Sequence, residues 1–360
     1  MLNRQDRMLW IVEQPSPVKK DRSTDLVMDS VINYYDSDER KPGYDWGQLF
    51  LDNGAFTARM RGIELERERV VDVQESINPD RTIPLDYPFK VGEPEKQMRK
   101  EWAKTQENIV YWQTSTNLRK RIVPALHAWN KISVTRNIRW LERNADSDFI
   151  ALGSIVGPSF HDSEGFFGDR QPSTELIDML ALAISRIQAL TDFRVHLMGF
   201  GSSPLMLHLG YYLGAQSTDS SGYRRKAAFG KIVLPGKGER HVGDDSLTGR
   251  DFGRSQMAIR EDNPRRQEDL ALLNKCGCPI CITNPDTLWI DWKARAIHNE
   301  YVMKQEASVA SHLSSIGEST YEKYLDTTVF PGSSLRYLWE YAKLRKNYYR
   351  ISDILFPEGV

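Results

Sequence analysis

Short apolar runs alternate along this chain with longer segments in which apolar side chains recur every three or four positions. The runs are too short for helices and stop at glycine, proline or a carboxylate, which is how buried strands end. Seven stand out: residues 8–12, 48–51, 82–86, 121–126, 149–152, 195–198 and a short strand that carries Asp219 at its far end. The intervening segments read as helices. One sets Met98, Trp102, Thr105, Ile109 and Trp112 on one face, another runs to about Asn144, and a strongly apolar one spans 174–190 behind Ser173. Ser203-Pro204 supplies an N-cap and a first-turn proline for a helix to about Tyr212. Residues 14–45 are polar and turn-rich and are read as connection. Strand–helix alternation means parallel β/α units, and seven candidate strands favour an α/β fold of the (β/α)8 TIM-barrel kind over an open doubly wound sheet. The expected organisation is a barrel over 1–260, a small zinc-binding insertion near the C-terminus over 261–315, and a C-terminal helical segment, 316–360, packing on the barrel.

Composition narrows the class only a little. At 360 residues and 40% apolar content the chain can bury one large core. No run approaches the ~20 apolar residues of a membrane span. The first ten residues hold no segment resembling a signal peptide, so the expectation is a cytoplasmic protein with no membrane partner. Net charge is -1, yet cations are unevenly spread. Residues 119–143 hold seven Lys/Arg against Glu142, 224–240 hold six against Glu239, and 336–350 hold five against Glu340, the last interleaved with Tyr337, Trp339, Tyr341, Tyr348 and Tyr349. Three such tracts lean toward a polyanionic partner. The last can also bury Leu335, Leu338, Trp339 and Ala342 and offer its cations outward. Gly199-Phe-Gly201 lacks the third glycine of a dinucleotide fingerprint, and no glycine loop is followed by the Lys-Ser/Thr of a nucleotide-triphosphate site.

All three cysteines lie within Cys276-Gly-Cys278-Pro-Ile-Cys281, and His298 follows after sixteen intervening residues. Thiolates on a tight turn converge on one ion, and an imidazole from a following helix completes the tetrahedron zinc prefers. A disulfide inside so short a segment would be strained. Four protein ligands leave no open position, so the expected cofactor is one structural Zn2+ per chain.

The stretch Leu197-Met-Gly-Phe-Gly201, a helix, and Asp219 at the end of the next strand resembles the tRNA-guanine/archaeosine transglycosylase superfamily. Its members exchange guanine for a 7-deazaguanine in nucleic acid. Asp219-Ser-Ser-Gly-Tyr223 is closer to the archaeal-type members than to the queuine enzymes. The cysteine set followed by His298-Asn299 also matches, and Asn299 is why His298 is preferred to His312 as fourth ligand. The resemblance implies Asp219 as nucleophile and Asp52 as general acid/base, the two-carboxylate logic of retaining glycosyl transfer. It implies a base pocket in which Phe56 and Met198 flank the heterocycle, Asp86 reads its donor edge, and Gly153 and Ser154 meet its substituent. Gly199 belongs to the turn of that pocket. Asn53 replaces a serine of the queuine enzymes and His127 a glutamine.

Those two departures, the shortened interval before His298 and the lack of a recognisable extra RNA-binding domain resemble the branch that modifies DNA. The expected reaction is therefore replacement of guanine in DNA by 7-cyano-7-deazaguanine, with tRNA as the alternative substrate and a non-catalytic zinc-containing partner subunit as a third reading. Either polymer must present its guanine unstacked. Helper proteins that open a duplex and a homodimer are compatible with this reading.

Overall fold

The computed structural model describes residues 8–13, 26–37, 42, 46–89, 93–153, 174–242 and 264–355. Eight parallel strands alternate with helices: β1 Leu9–Glu13, β2 Leu26–Ser30, β3 Gln48–Asp52, β4 Arg81–Thr82, β5 Ala125–Leu126, β6 Phe149–Leu152, β7 Arg194–Leu197 and β8 Ser217–Ser220. This is the α/β, TIM-like class the alternation predicts. A two-stranded antiparallel hairpin, β9 Lys231–Val233 and β10 Glu239–His241, follows. The helices bearing on the site are α1 Ala55–Arg61, α2 Arg67–Ile77, α3 Glu95–Ser115, α4 Lys131–Asn144, α5 Thr174–Leu190, α6 Pro204–Leu213, α7 Gly222–Ala228, α8 Pro264–Leu273, α9 Pro279–Thr283, α10 Thr287–Ile290, α11 Trp292–Ile316, α12 Glu318–Tyr324 and α13 Arg336–Leu355. None of the described helices is long and apolar enough to cross a membrane.

All six runs with stated bounds lie within two residues of an observed strand at one end or both, and Asp219 falls in β8. The fourth run, 121–126, shrinks to the pair Ala125–Leu126 with one further bridge at Ile122. The strand missed is β2, whose Leu-Val-Met-Asp-Ser carries a charge among only three apolar residues, inside the segment read as connection. Its pairing partner is β3, in the register Met28↔Phe50, Asp29↔Leu51, Ser30↔Asp52.

The chain divides into two compact units. One comprises residues 21–198, 213–215 and 337–360 and contains β2 to β7. Within it β2, β3 and β4 are parallel neighbours, as are β5, β6 and β7, and a Thr82–Ile122 bridge joins the two groups. Val27, Leu49, Leu51, Leu126, Ile150, Ala151, Val195 and Leu197 are wholly buried. So are Val70, Val73, Trp112, Val134, Ile138 and Ile184 from the helices. Burying each Val, Leu or Ile contributes about 1.5–3 kcal/mol, which is what commits these short runs to strands. On α13, Leu338, Trp339 and Ala342 are wholly buried, the face the sequence assigned to packing, and Leu335, just ahead of the helix, is buried as well.

The other unit comprises residues 1–20, 199–212 and 216–336. Here β1 and β8 run parallel in the register Ile11↔Asp219, and α7, the hairpin and α11 pack beside one another.

Candidate active site and metal centre

In the six-strand unit, four candidate residues form one connected group where β3 to β6 end. Asn53 turns its side chain back over the loop, its Oδ1 accepting from Ala55 N–H at 2.8 Å. That leaves the amide to donate to Pro84 O at 2.7 Å and to Asp86 Oδ1 at 3.0 Å. The other oxygen of Asp86 lies 2.8 Å from His127 Nε2. All three side chains are buried. A Cβ added at Gly153 would come within 2.7 Å of His127 Cε1, so the imidazole can lie against the backbone only because position 153 lacks a side chain. The supporting frame comes from helices. Asn108 of α3 donates to Leu85 O at 2.8 Å, Thr105 accepts from Tyr87 N–H at 3.1 Å, and Asn137 of α4 donates to His127 O at 2.7 Å.

Asp52 sits at the end of β3, where the register sets Ser30 opposite. Its Oδ2 accepts from Ser30 Oγ at 3.2 Å and from Gly54 N–H at 2.9 Å. Gly54 has φ of 78°, a left-handed turn that lets its N–H face the carboxylate and start α1. Phe56, the second residue of α1, is 37% exposed, available as a stacking face rather than part of the core. Met198 is half-buried just past β7, and Ser154 lies outside the described residues.

Asp219 belongs to the other unit, in the last turn of β8, and is 4% exposed. The glycine turn that follows β7 wraps it: Gly199 N–H donates to Asp219 Oδ1 at 2.8 Å and Gly201 N–H to its backbone carbonyl at 3.1 Å. A Cβ at Gly201 would meet Thr218 Cγ2 at 2.8 Å, and Trp10 Nε1 donates to Gly201 O at 3.1 Å. The glycines thus serve close approach to a carboxylate, not phosphate binding.

Residues not singled out from the sequence complete this frame. Ser30 and its neighbour Asp29 come from the missed strand, and Asp29 accepts from Ser30 N–H, Asn33 and Tyr34 at 2.8, 2.7 and 2.5 Å. Lys226 of α7 donates to Ser202 O, bracing the turn around Asp219, and pairs with Glu239. Burial pushes its ammonium below the usual lysine range, against the opposing charge of Glu239. The sequence hints were its place seven residues after Asp219 and its membership of the 224–240 basic tract that also holds Glu239.

Cys276, Cys278, Cys281 and His298 meet as the spacing predicts, all buried, with their donor atoms within 4.8 Å of one another. His298 Nδ1 lies 3.9, 3.3 and 3.4 Å from the three sulfurs in chain order. Tetrahedral zinc with Zn–S and Zn–N bonds of about 2.3 and 2.0 Å sets its sulfur and nitrogen donors about 3.6 Å apart, so the donor set fits that ion. The other ring nitrogen, Nε2, donates to Val233 O at 2.8 Å, which directs Nδ1 to the sulfurs. His312 is exposed, and the choice of His298 holds.

The electrostatics agree. Hydrogen bonds from Cys276 and Cys281 hold the Cys278 thiol far below the ordinary range, while Cys276 and Cys278 drive Cys281 far above it. Burial opposes charge on His298, but Cys276 and Cys278 outweigh it and raise the ring to about 9. Three crowded thiols cannot all ionise without a cation among them.

Asn299 explains why the His-Asn pair matters. Its Oδ1 accepts from Val233 N–H at 2.7 Å, and its amide donates to Tyr223 O at 3.0 Å and Lys231 O at 3.2 Å. Arg295, on the same helix, donates to Ala227 O at 2.7 Å and Leu288 O at 3.0 Å. The metal helix α11 is thereby tied to α7, which begins three residues after Asp219. No characterised protein sequence matches the chain in a direct comparison. A family model does: that of the queuine tRNA-ribosyltransferases matches residues 52–327, well over half of the chain, from the Asp52 turn past the metal helix, and the protein belongs to that family.

Proposed function

We propose that the protein is a base-exchange transglycosylase that replaces guanine in DNA with 7-cyano-7-deazaguanine through a covalent aspartyl–sugar intermediate. The membership just stated implies a pentosyltransferase acting on nucleic acid, and the observation that carries the rest is the pair of loop-end carboxylates, Asp52 and Asp219, each held by a glycine N–H. In this reading an oxygen of Asp219 forms a bond to the anomeric carbon as the bond to guanine N9 breaks. Asp52 gives the departing purine its proton and takes one from the incoming base, whose nitrogen then displaces Asp219. Nothing is oxidised, and no nucleotide is consumed. Asp86 receives the base edge, Phe56 and Met198 its faces, and Gly153 and Ser154 its 7-substituent. A zinc ion on Cys276, Cys278, Cys281 and His298 supplies rigidity, one per chain, with no part in the chemistry.

The preference for DNA rests on the resemblance to the DNA-modifying branch, in the short interval before His298 and in His127, which like Asn53 lies against Asp86. The family's own description favours tRNA as the second reading. Denaturing electrophoresis separates them. Wild-type protein mixed with guanine-containing single-stranded DNA should give a slower covalent band that Asp219→Asn abolishes and Asp52→Asn reduces by at least tenfold in rate. A band with tRNA only assigns the polymer to tRNA. No adduct and no uptake of labelled base with either polymer rejects the enzyme in favour of a zinc-bearing partner subunit.

A further inference from the structure

Beside the Asp86–His127 group, α3 and α4 enclose a cleft of about 220 Å3 lined by Arg99, Trp102, Trp129, Arg136, Asn137 and Trp140, with Gln106 on its floor. Trp129 lies two residues past His127. The guanidinium carbon of Arg99 stands 5.1 Å from the Trp129 ring centroid and that of Arg136 4.9 Å from it, so two cations converge on one indole. Trp102 and Trp140 meet edge to face at 5.9 Å, and Trp102 also touches His127 at 6.1 Å between centroids. The cleft therefore shares a wall with the proposed base pocket.

The charges are not balanced. Arg99 is neutralised by Glu95 at 2.9 Å, but Arg136 reaches only Asn137 Oδ1 at 3.3 Å, and no carboxylate pairs with it among the described residues. Partial burial and the neighbouring charge of Arg99 press Arg136 below the usual guanidinium range, against Glu95. In the other basic tracts several cations are paired with carboxylates. In 224–240, Lys226 and Lys231 pair with Glu239 and Arg240 with Asp269. In 336–350, Arg345 pairs with Asp178 and Lys343 with Glu340. Arg136 is thus a cation facing the cleft with no hydrogen-bonded carboxylate among the described residues, Glu95 being the acid that still attracts it.

We propose that this cleft binds a backbone phosphate of the substrate strand next to the exchanged guanine, with Arg136 as its principal ligand and Arg99 as the second fork. A guanidinium matches phosphate oxygens bidentately. The proposal deepens the transglycosylase reading and depends on it.

The test is equilibrium binding of a short single-stranded oligodeoxynucleotide with one guanine, over a range of salt, by wild-type protein and Arg136→Gln, Arg136→Lys and Arg143→Gln. Each phosphate contact contributes about 0.7 to the slope of log affinity against log salt on single strands. Arg136→Gln should lose at least fivefold in affinity at low salt with a slope shallower by about that amount. Arg136→Lys should keep the slope with weaker binding, and Arg143→Gln, one charge fewer at the far end of the same helix, should match wild type. Replacing the phosphates beside the guanine with neutral methylphosphonates should erase the difference between wild type and Arg136→Gln. If wild type forms the covalent adduct while Arg136→Gln binds and responds to salt identically, the phosphate site is overturned and the enzyme stands. If inorganic phosphate raises the melting temperature of wild type but not of Arg136→Gln while strand binding is equal, the site serves a free anion and the strand assignment falls. If wild type neither binds nor modifies DNA or tRNA, both proposals fall.

Discussion

His127 shows how one side chain can set the behaviour of another. Asp86 has one oxygen on Asn53 and the other 2.8 Å from His127, in a place closed to water. Removing the imidazole leaves a buried carboxylate with part of its compensation gone, a change that costs on the order of 1–3 kcal/mol. His127→Ala should lower stability by that amount in urea unfolding. If Asp86 reads the base, the KM for the incoming 7-deazaguanine should rise tenfold or more with a smaller loss in kcat, and exogenous imidazole should restore part of it. The reverse split, kcat lost with KM unchanged, would give His127 a different task. The family resemblance identified Asp86, Asn53 and His127 as separate positions. Their mutual contact was not legible, since it depends on how three loops from distant parts of the chain fall together. Gly153 carried still less signal: an ordinary backbone angle with a ring against it leaves no mark in a sequence.

At the level of elements, what is local was readable and what is paired at long range was not. The cysteine cluster lies on one turn and announces itself by spacing. The helix 174–190 is apolar enough to be seen, and α5 begins one residue after the predicted Ser173 cap at Thr174. Strand β2 escaped because its commitment comes from β3 beside it rather than from its own five residues. The link between the metal helix and the segment after Asp219 is of the same long-range kind. Asn299 makes three hydrogen bonds, to Val233, Tyr223 and Lys231, and two of those partners lie on β9. Asn299→Ala should destabilise the fold by about 2–4 kcal/mol while leaving the four metal ligands intact. Thermal unfolding paired with elemental analysis checks this, the expected result being a lowered midpoint with metal content unchanged. A variant as stable as wild type would show that α11 is held by its apolar packing alone.

For the molecule as a whole, near-neutral net charge conceals an uneven distribution, and the structure sorts the three basic tracts by use. Arg345, with Tyr349 and Lys131, closes on Asp178 and fastens the last helix, so part of that tract is internal scaffolding. In the tract around Arg136, the guanidinium lines the cleft proposed to take a strand phosphate. The fold class and the metal set were legible because they rest on alternation and spacing. The polymer was not, because DNA and tRNA present the same phosphates and the same guanine.

Every sulfhydryl in the protein belongs to one place. Since Cys276, Cys278 and Cys281 are the full complement of 360 residues and all three converge on His298, the chain reports its own metal loading to any thiol reagent. A chromogenic disulfide should register close to zero reactive groups on the native zinc-loaded protein and three after a strong chelator, with loss of structure in step. Should three groups react at once in folded, untreated protein, the knuckle holds no ion. Peroxide would reach the same three thiols, and their oxidation should release the ion and loosen α11 from the hairpin and α7 it is tied to.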